Sequence, residues 1–289
     1  MICSKSRFIS IAALFLLACN LNSTEVLSQR KHDTITFVHI TDPHFTNLTG
    51  YHPVFIRERI WFTRSAGIMS QFLATVPDVY NADFVVVTGD NIDFFEAQTA
   101  KGNILDTQIE QYSEFINNYG IQMYLALGNH DLTSYMVTPD SNTTNNQLKA
   151  EKAKSVWMRN FECFREGTYY SRILKIDTMD FRLIFLDNSY YATREVSDGV
   201  VEFVMDPYQL LWLNAELQAS PSDVELIFMH MPLPFAKASD KNFPVEQLSD
   251  YTLKSKYYNL LNVLDANRSN ARVIFAGHRH FNSINNYNI

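Results

Sequence analysis

Asp83-Phe84-Val85-Val86-Val87-Thr88-Gly89-Asp90-Asn91-Ile92-Asp93 is the stretch on which the fold turns. Four apolar, β-prone residues in a row, closed by a glycine, describe a short strand buried on both faces. Such strands belong to parallel sheets covered by helices. Acidic residues follow at once. In an open α/β sheet, ligands gather beyond the carboxyl ends of the strands.

The same arrangement recurs along the chain. Val38-His39-Ile40-Thr41 precedes Asp42-x-His44, and Leu125-Ala126-Leu127 precedes Gly128-Asn129-His130-Asp131. Leu226-Ile227-Phe228-Met229 precedes His230, and Val273-Ile274-Phe275-Ala276 precedes Gly277-His278-x-His280. Taken singly, several of these motifs have a structural reading. Asp-x-His or Gly-Asp can be a turn, and His230 can be a satisfied histidine. Gly-Asn-His-Asp is a rarer string. Gly-His-x-His places two imidazoles on one side of an extended backbone, which suits a metal. The ordered set of five points to one converging site. Its carboxylates, amide and five of the chain's eight histidines are the donors that two divalent metals side by side require.

The flanking pattern fills in the fold. Thr34–Thr41, Asp83–Thr88 and Gln122–Leu127 read as strands, with helices expected over Val54–Thr75 and Thr107–Tyr119. That alternation predicts a largely parallel sheet. Further on, a helix is expected to close over Ser155–Phe164. Thr168–Ile176 and Phe181–Leu186 read as an antiparallel hairpin. A helix starts at Pro207 with Asp206 as its N-cap and runs to Leu217. Val224–Met229, a helix over Ser249–Ala266 and Arg272–Ala276 complete a strand–helix–strand series. The simplest assembly is two sheets face to face with helices outside. Thr133–Lys154, polar and Asn/Thr-rich, is expected to be a mobile insertion over the site. His39, inside the first strand, reads as a buried structural histidine.

A hydrophobic share of 46% supports a sizeable core, and the net charge of −7 carries no basic cluster. Nucleic acid is therefore an unfavoured partner, and no protein partner is expected. Residues 1–19 read as an export signal: Lys5 and Arg7, an apolar run, then Leu16-Leu17-Ala18-Cys19. The last four resemble the lipobox of bacterial lipoproteins, with an ordinary signal peptide as the alternative. The expectation is a lipid anchor at Cys19, a flexible tether over 20–33 and a globular domain over 34–289, in the periplasm or at the outer membrane. Loss of Cys3 with the signal and lipidation of Cys19 leave Cys163 without a partner, so no disulfide framework is expected. Cys163 is expected to be buried between Phe161 and Phe164.

The five motifs in order resemble the signature of calcineurin-like metallophosphoesterases, over residues from about 36 to 281. The resemblance implies the metallo-dependent phosphatase fold, a four-layer α/β/β/α sandwich of two mixed sheets flanked by helices. It implies two divalent transition metals, Mn, Fe or Zn. Asp42, His44 and His280 would hold one, Asn129, His230 and His278 the other, with Asp90 bridging. It makes His130 the group that contacts phosphate and protonates the leaving oxygen, with Asp42 or Asp131 orienting it, and it makes Asp93 a residue that holds a ligand in place. It also leads one to expect further strands beyond His280.

Purple acid phosphatases carry a tyrosine where this chain has Asp93, so the pattern is closer to the cyclic nucleotide phosphodiesterase-like branch. The segments Gly167–Ser171, Leu186–Ser189 and Gln209-x-x-Trp212-Leu213 resemble that branch too. The expected activity is hydrolysis of a phosphate ester, a phosphodiester by preference, by direct attack of a hydroxide held between the metals. The alternatives are a phosphomonoesterase or nucleotide pyrophosphatase with the same site, a nuclease, or a lipid-anchored binding module without turnover. Phe45, Tyr51, His52, Tyr135, Tyr190 and Tyr191 flank the motifs as candidates for reading the substrate, with ordinary packing as the alternative for each.

Overall fold

Phe84–Thr88 (β2) is buried from end to end and lies at the centre of a three-stranded sheet. Phe37–Ile40 (β1) and Met123–Ala126 (β5) flank it, and all three strands are parallel. In this computed structural model the described residues are 34–146, 149–189, 192–196, 200–203, 205–219, 224–233, 260, 262–269, 271–280, 282 and 284. The expected signal and tether, Tyr190, Tyr191 and most of the helix expected at Ser249–Ala266 lie outside them.

Between β1 and β2 run α1 (Pro53–Arg59), a 3₁₀ turn at Ile60–Arg64 and α2 (Ser65–Thr75). The single helix expected there is thus interrupted. Two short strands, β3 (Glu96–Gln98) and β4 (Ile104–Leu105), lead to α3 (Gln108–Asn117) and then β5. After the site loop come β6 (Ser134–Val137), β7 (Thr143–Asn146) and α4 (Ala150–Asn160). The second half contains β8 (Tyr170–Ile176), β9 (Met179–Phe185), the short pair β10 (Ala192–Val196) and β11 (Val200–Phe203), α5 (Pro207–Gln218), β12 (Val224–Phe228) and β13 (Ala271–Phe275).

A four-stranded mixed sheet, in the order β13-β12-β9-β8, faces the first. β8 and β9 form the expected hairpin, while β9, β12 and β13 run parallel. Alternation along these strands fixes the layers. Phe185 and Phe228 point into the main core with the first sheet. Their neighbours Ile184, Leu186, Ile227 and Met229 point the other way, onto Leu213 and Leu217 of α5. On the far side of the first sheet, Leu73, Ile109, Tyr112 and Trp157 bring α2, α3 and α4 into the main core. Helices, sheet, sheet and helices thus stack as expected. The first sheet is parallel throughout its described strands, not mixed.

Aromatic rings join the two sheets. Tyr170, Phe185, Phe228 and Phe275 sit opposite one another on four adjacent strands and stack at 4.5, 4.9 and 4.9 Å. Phe37 meets Phe228 and Phe275 edge-on. The Tyr170 hydroxyl donates to the Leu125 carbonyl at 2.8 Å and accepts from the Leu125 N–H at 3.1 Å. It thereby satisfies backbone groups on the outer edge of β5 that would otherwise be stranded in the core.

Several expectations are corrected. Thr133–Lys154 is not a loose polar insertion. β3, β4, β6 and β7 form a further four-stranded sheet, and Ala150 and Ala153 sit in the main core. The helix expected at Ser155–Phe164 begins earlier, at Ala150, and ends in a separate 3₁₀ turn over Glu162–Phe164. Cys163 is half-buried against the core, and burial pushes its thiol up to about 11. At α5 the expectation holds: the Asp206 carboxylate accepts the Tyr208 N–H at 2.9 Å, with Pro207 in the first helical position. Among the described residues no helix is long and apolar enough to cross a membrane.

A candidate dinuclear metal centre at the strand tips

Each motif lies directly beyond the carboxyl end of a parallel strand, and backbone hydrogen bonds zip the tips together. The His44 N–H donates to Asp90 O at 2.9 Å and the Phe45 N–H to Asn91 O at 3.0 Å. The Gly277 N–H donates to His230 O at 2.9 Å, and the His278 N–H reaches the Asp42 carboxylate at 2.9 Å. Loops 236 residues apart in the chain are thus in direct contact.

The packing at these tips requires glycine. A Cβ on Gly277 would strike Thr41 Oγ1 and stand 2.8 Å from Asp42 Oδ2. Gly89, at φ +86°, would place a Cβ 2.6 Å from His230 Nδ1. The candidate ligands themselves carry strain. Asp42, His44, Asp90, His278 and His280 all have positive φ, between 44° and 70°. Non-glycine residues visit that region rarely, and such outliers cluster at functional sites.

Two clusters meet at one carboxylate. Asp42, His44, Asp90 and His280 offer ligand atoms within 4.8 Å of one another, and so do Asp90, His230 and His278. Asp90 Oδ1 accepts the His130 N–H at 2.8 Å. Its Oδ2 lies 3.7 Å from His44 Nε2 in the first cluster and 3.3 Å from His230 Nε2 in the second. Asn129 Oδ1 joins the second cluster, 3.1 Å from His230 Nε2.

The donor set fits cations. His230 Nδ1 lies 2.9 Å from the Thr88 carbonyl, which can only accept, so Nδ1 is the protonated nitrogen. With a cation bound the ring is neutral and its Nε2 lone pair faces the space shared with Asp90 Oδ2, Asn129 Oδ1 and His278 Nδ1, the last at 3.2 Å; with none bound, Asp90 favours a proton there. His44 Nε2 and His280 Nε2 likewise face each other at 3.2 Å. Imidazole nitrogens, an amide oxygen and the Asp42 and Asp90 carboxylates converging in this way suit a positive charge among them. Mixed nitrogen and oxygen donors suit Mn, Fe, Zn or Co more than Ca or Mg.

Charge at the site follows from this crowding. Burial alone would raise Asp90, but the charges of His230, His130 and His44 hold it well below the usual carboxylate range. Burial opposes protonation of His230, yet Asp90 beside it lifts the ring to about 9. Burial and the neighbouring His230 charge push His278 down to about 4.

His130 and Asp131 point to different places. His130 Nδ1 lies 2.7 Å from the Asp93 carbonyl and 3.4 Å from the Asp93 carboxylate, which leaves Nε2 for a ligand. Burial opposes its proton, but the Asp93 hydrogen bond and the charges of Asp90 and Asp93 outweigh it, and its pKa is raised. Asp131 does not orient His130. Its carboxylate accepts the N–H groups of Gly128 at 2.7 Å and Ile92 at 3.0 Å, and the Asn91 amide at 2.9 Å. Burial and the charge of Asp90 push it up to about 7 against those donors. Asp42 does not orient His130 either, because its carboxylate is engaged with His278, His280 and Thr41.

Asp93 carries the orienting role. Its Oδ1 lies 3.6 Å from His44 Nδ1 and accepts from Arg59 at 3.0 Å. Burial would raise its pKa, but the histidine hydrogen bonds and the Arg59 charge hold it below the usual range. The Arg59 guanidinium in turn lies over Tyr135, 4.4 Å from the ring centroid. No sequence signal marked Arg59. Asn188 had one, its place after β9. Its Oδ1 accepts the N–H groups of both His230 and Met231 at 3.0 Å, which fixes the backbone that carries His230.

The flanking aromatic candidates belong to the fold. Phe45, Tyr51 and Tyr135 are buried. His52 caps α1, its Nδ1 accepting from the Val54 N–H at 3.2 Å. His39 is partly buried beside Phe275 and lies 2.8 Å from Thr88 Oγ1.

The profile of the calcineurin-like phosphoesterases matches residues 35–282. The chain belongs to that family. Its activity class is accordingly phosphoric ester hydrolysis, its expected substrate a phosphoester, and the family typically binds two divalent metals. Among solved structures, the phosphopantetheinyl hydrolase of Mycobacterium tuberculosis is similar at 12% identity and TM-score 0.45, covering 88% of this chain and 86% of that one. GAP50, the anchor in the inner membrane complex of Plasmodium, is similar at 14% identity and TM-score 0.39, covering 84% and 65%. No curated protein matches.

Proposed function

We propose that the chain is a dinuclear metal-dependent phosphodiesterase of the cell envelope, anchored through lipid at Cys19. The observation that carries the dinuclear reading is Asp90, whose Oδ2 faces His44 on one side and His230 on the other. Asp42, His44 and His280 would hold one cation, Asn129, His230 and His278 the second, with Asp90 shared. When bound, such a pair activates water for in-line attack and neutralises phosphate charge.

The chain's own residues supply the rest. His130, held at Nδ1 by Asp93, presents Nε2 with a proton for the leaving oxygen. Asp93 keeps that ring and His44 in fixed relation. Asn188 and Gly277 hold the tips that bear His230 and His278.

A diester is favoured over a monoester by the Asp42-x-His44 motif together with Asp93, the pattern that resembles the phosphodiesterase branch. Arg59, the arginine that reaches this corner, is committed to Asp93 and not free for a second phosphate charge. The test is hydrolysis of bis-p-nitrophenyl phosphate against p-nitrophenyl phosphate. Chelator-stripped protein would be reloaded with Mn²⁺, with Asp90→Asn alongside. Diester turnover that returns with metal, and is absent in the variant along with bound metal, is the expected result. Turnover of the monoester alone would move the reading to a phosphatase. Metal bound without turnover of either would favour a binding module.

A further inference from the structure

The segment from α1 through the 3₁₀ turn to α2 has two faces of opposite character. Arg59, Phe62 and Ser65, three residues apart, point inward at the metal centre. Arg59 binds Asp93, the Phe62 ring lies 5.0 Å from the His44 ring, and the Ser65 hydroxyl donates to the His44 carbonyl at 2.8 Å. The outward face carries Ile60, Trp61 and Ile68, which are 48%, 71% and 66% exposed. Arg57 and Arg64 are exposed with them, and the Arg64 guanidinium lies 5.7 Å from the Trp61 ring centroid.

We propose that this outward face seats on an anionic lipid surface. The proposal does not rest on the phosphoesterase reading. Two observations support a lipid surface over a soluble partner. Tryptophan joined to arginine is the pairing of side chains that settle at a membrane–water boundary, the ring among the headgroups and the cation on phosphate. Charge is complementary: Arg57 and Arg64 stand exposed against one glutamate in the stretch 53–75, Arg59 being turned inward to Asp93, in a chain of net charge −7. That glutamate, Glu58, is engaged by the Thr143 hydroxyl.

The test reads Trp61 directly. Full-length Cys19→Ser protein, without a lipid anchor, is mixed with vesicles of phosphatidylglycerol and phosphatidylcholine, or of phosphatidylcholine alone, with dibrominated acyl chains as quenchers. The other tryptophans, Trp157 and Trp212, are subtracted with Trp61→Phe. Quenching of the Trp61 component by the anionic vesicles, binding weakened about five-fold in Arg64→Ser, and little response to phosphatidylcholine alone are expected. Trp61 emission and iodide accessibility that stay unchanged on adding anionic vesicles would overturn the proposal and leave the face to a protein partner. The two readings fail separately. Loss of turnover on bis-p-nitrophenyl phosphate leaves the Trp61 signal untouched, and an unresponsive Trp61 leaves turnover intact.

Discussion

The carboxylate of Asp93 lies 3.4 Å from Nδ1 of His130, although 37 residues separate them, while Asp131, the chain neighbour, faces the opposite way. The two aspartates therefore have separable roles. Asp93→Asn is expected to lower turnover or metal affinity by about 10- to 100-fold, the usual loss when a residue behind a ligand or base is removed. Asp131→Asn is expected to act on stability instead, costing about 1–3 kcal/mol by setting an amide against its N–H donors. Steady-state kinetics and metal content on one side, and chemical denaturation on the other, separate the two. Equal losses of turnover in metal-replete, folded protein would contradict the assignment.

Gly277→Ala places a methyl group on Thr41 Oγ1 and against Asp42 Oδ2. Overpacking of this kind costs about 1–3 kcal/mol, and here it also moves a carboxylate meant for a cation. The variant is expected to melt lower and to bind less Mn²⁺. Gly67→Ala, on an open helix face with nothing near the added carbon, is the control and is expected to do neither. Calorimetry with metal analysis checks both.

His39 makes stability depend on pH. Burial lowers its pKa to about 4, with the Asp42 charge acting the other way. Below about 6.5 the unfolded chain takes up a proton that the folded ring refuses, so folding weakens as pH falls from 6.5 toward 4 and this contribution levels off below that. Between pH 7 and pH 5 the loss from this one group is about 2 kcal/mol. Urea unfolding of metal-free protein at both pH values measures it. His39→Gln is expected to lose about that much less, and equal slopes for the two proteins would rule it out.

The strand tips were legible in the sequence because each strand is a short apolar run ended by glycine or a polar ligand, a local signal. α5 was legible from Pro207 and Asp206 for the same reason. β6 and β7 were not. Their residues are mostly polar, and β6 pairs with β3, almost 40 residues away, so nothing local announces a strand. The 3₁₀ turn at Ile60–Arg64 was hidden within a helical spacing, because the contacts that Arg59 and Phe62 make there are with Asp93 and His44, distant in the chain. Asp131 misled for a geometric reason. Adjacent residues on a tight turn project in different directions, so proximity in sequence to His130 gave no contact. Asp93 needed the loop over Asp90–Asp93 to fold back on Phe45, whose carbonyl accepts the Asp93 N–H.

Asp42 and His44 lie near the start of the described chain, and His278 and His280 near its end. The described cysteine, Cys163, is free. Cations shared between the two ends would join residues 236 apart, and so act as a reversible cross-link where the described residues hold no disulfide. By the chain-entropy treatment of such loops, a link of that span is worth up to about 5 kcal/mol. The centre would thus double as the clasp that locks the second sheet onto the first, so that chelation loosens the whole sandwich and not merely its catalytic rim.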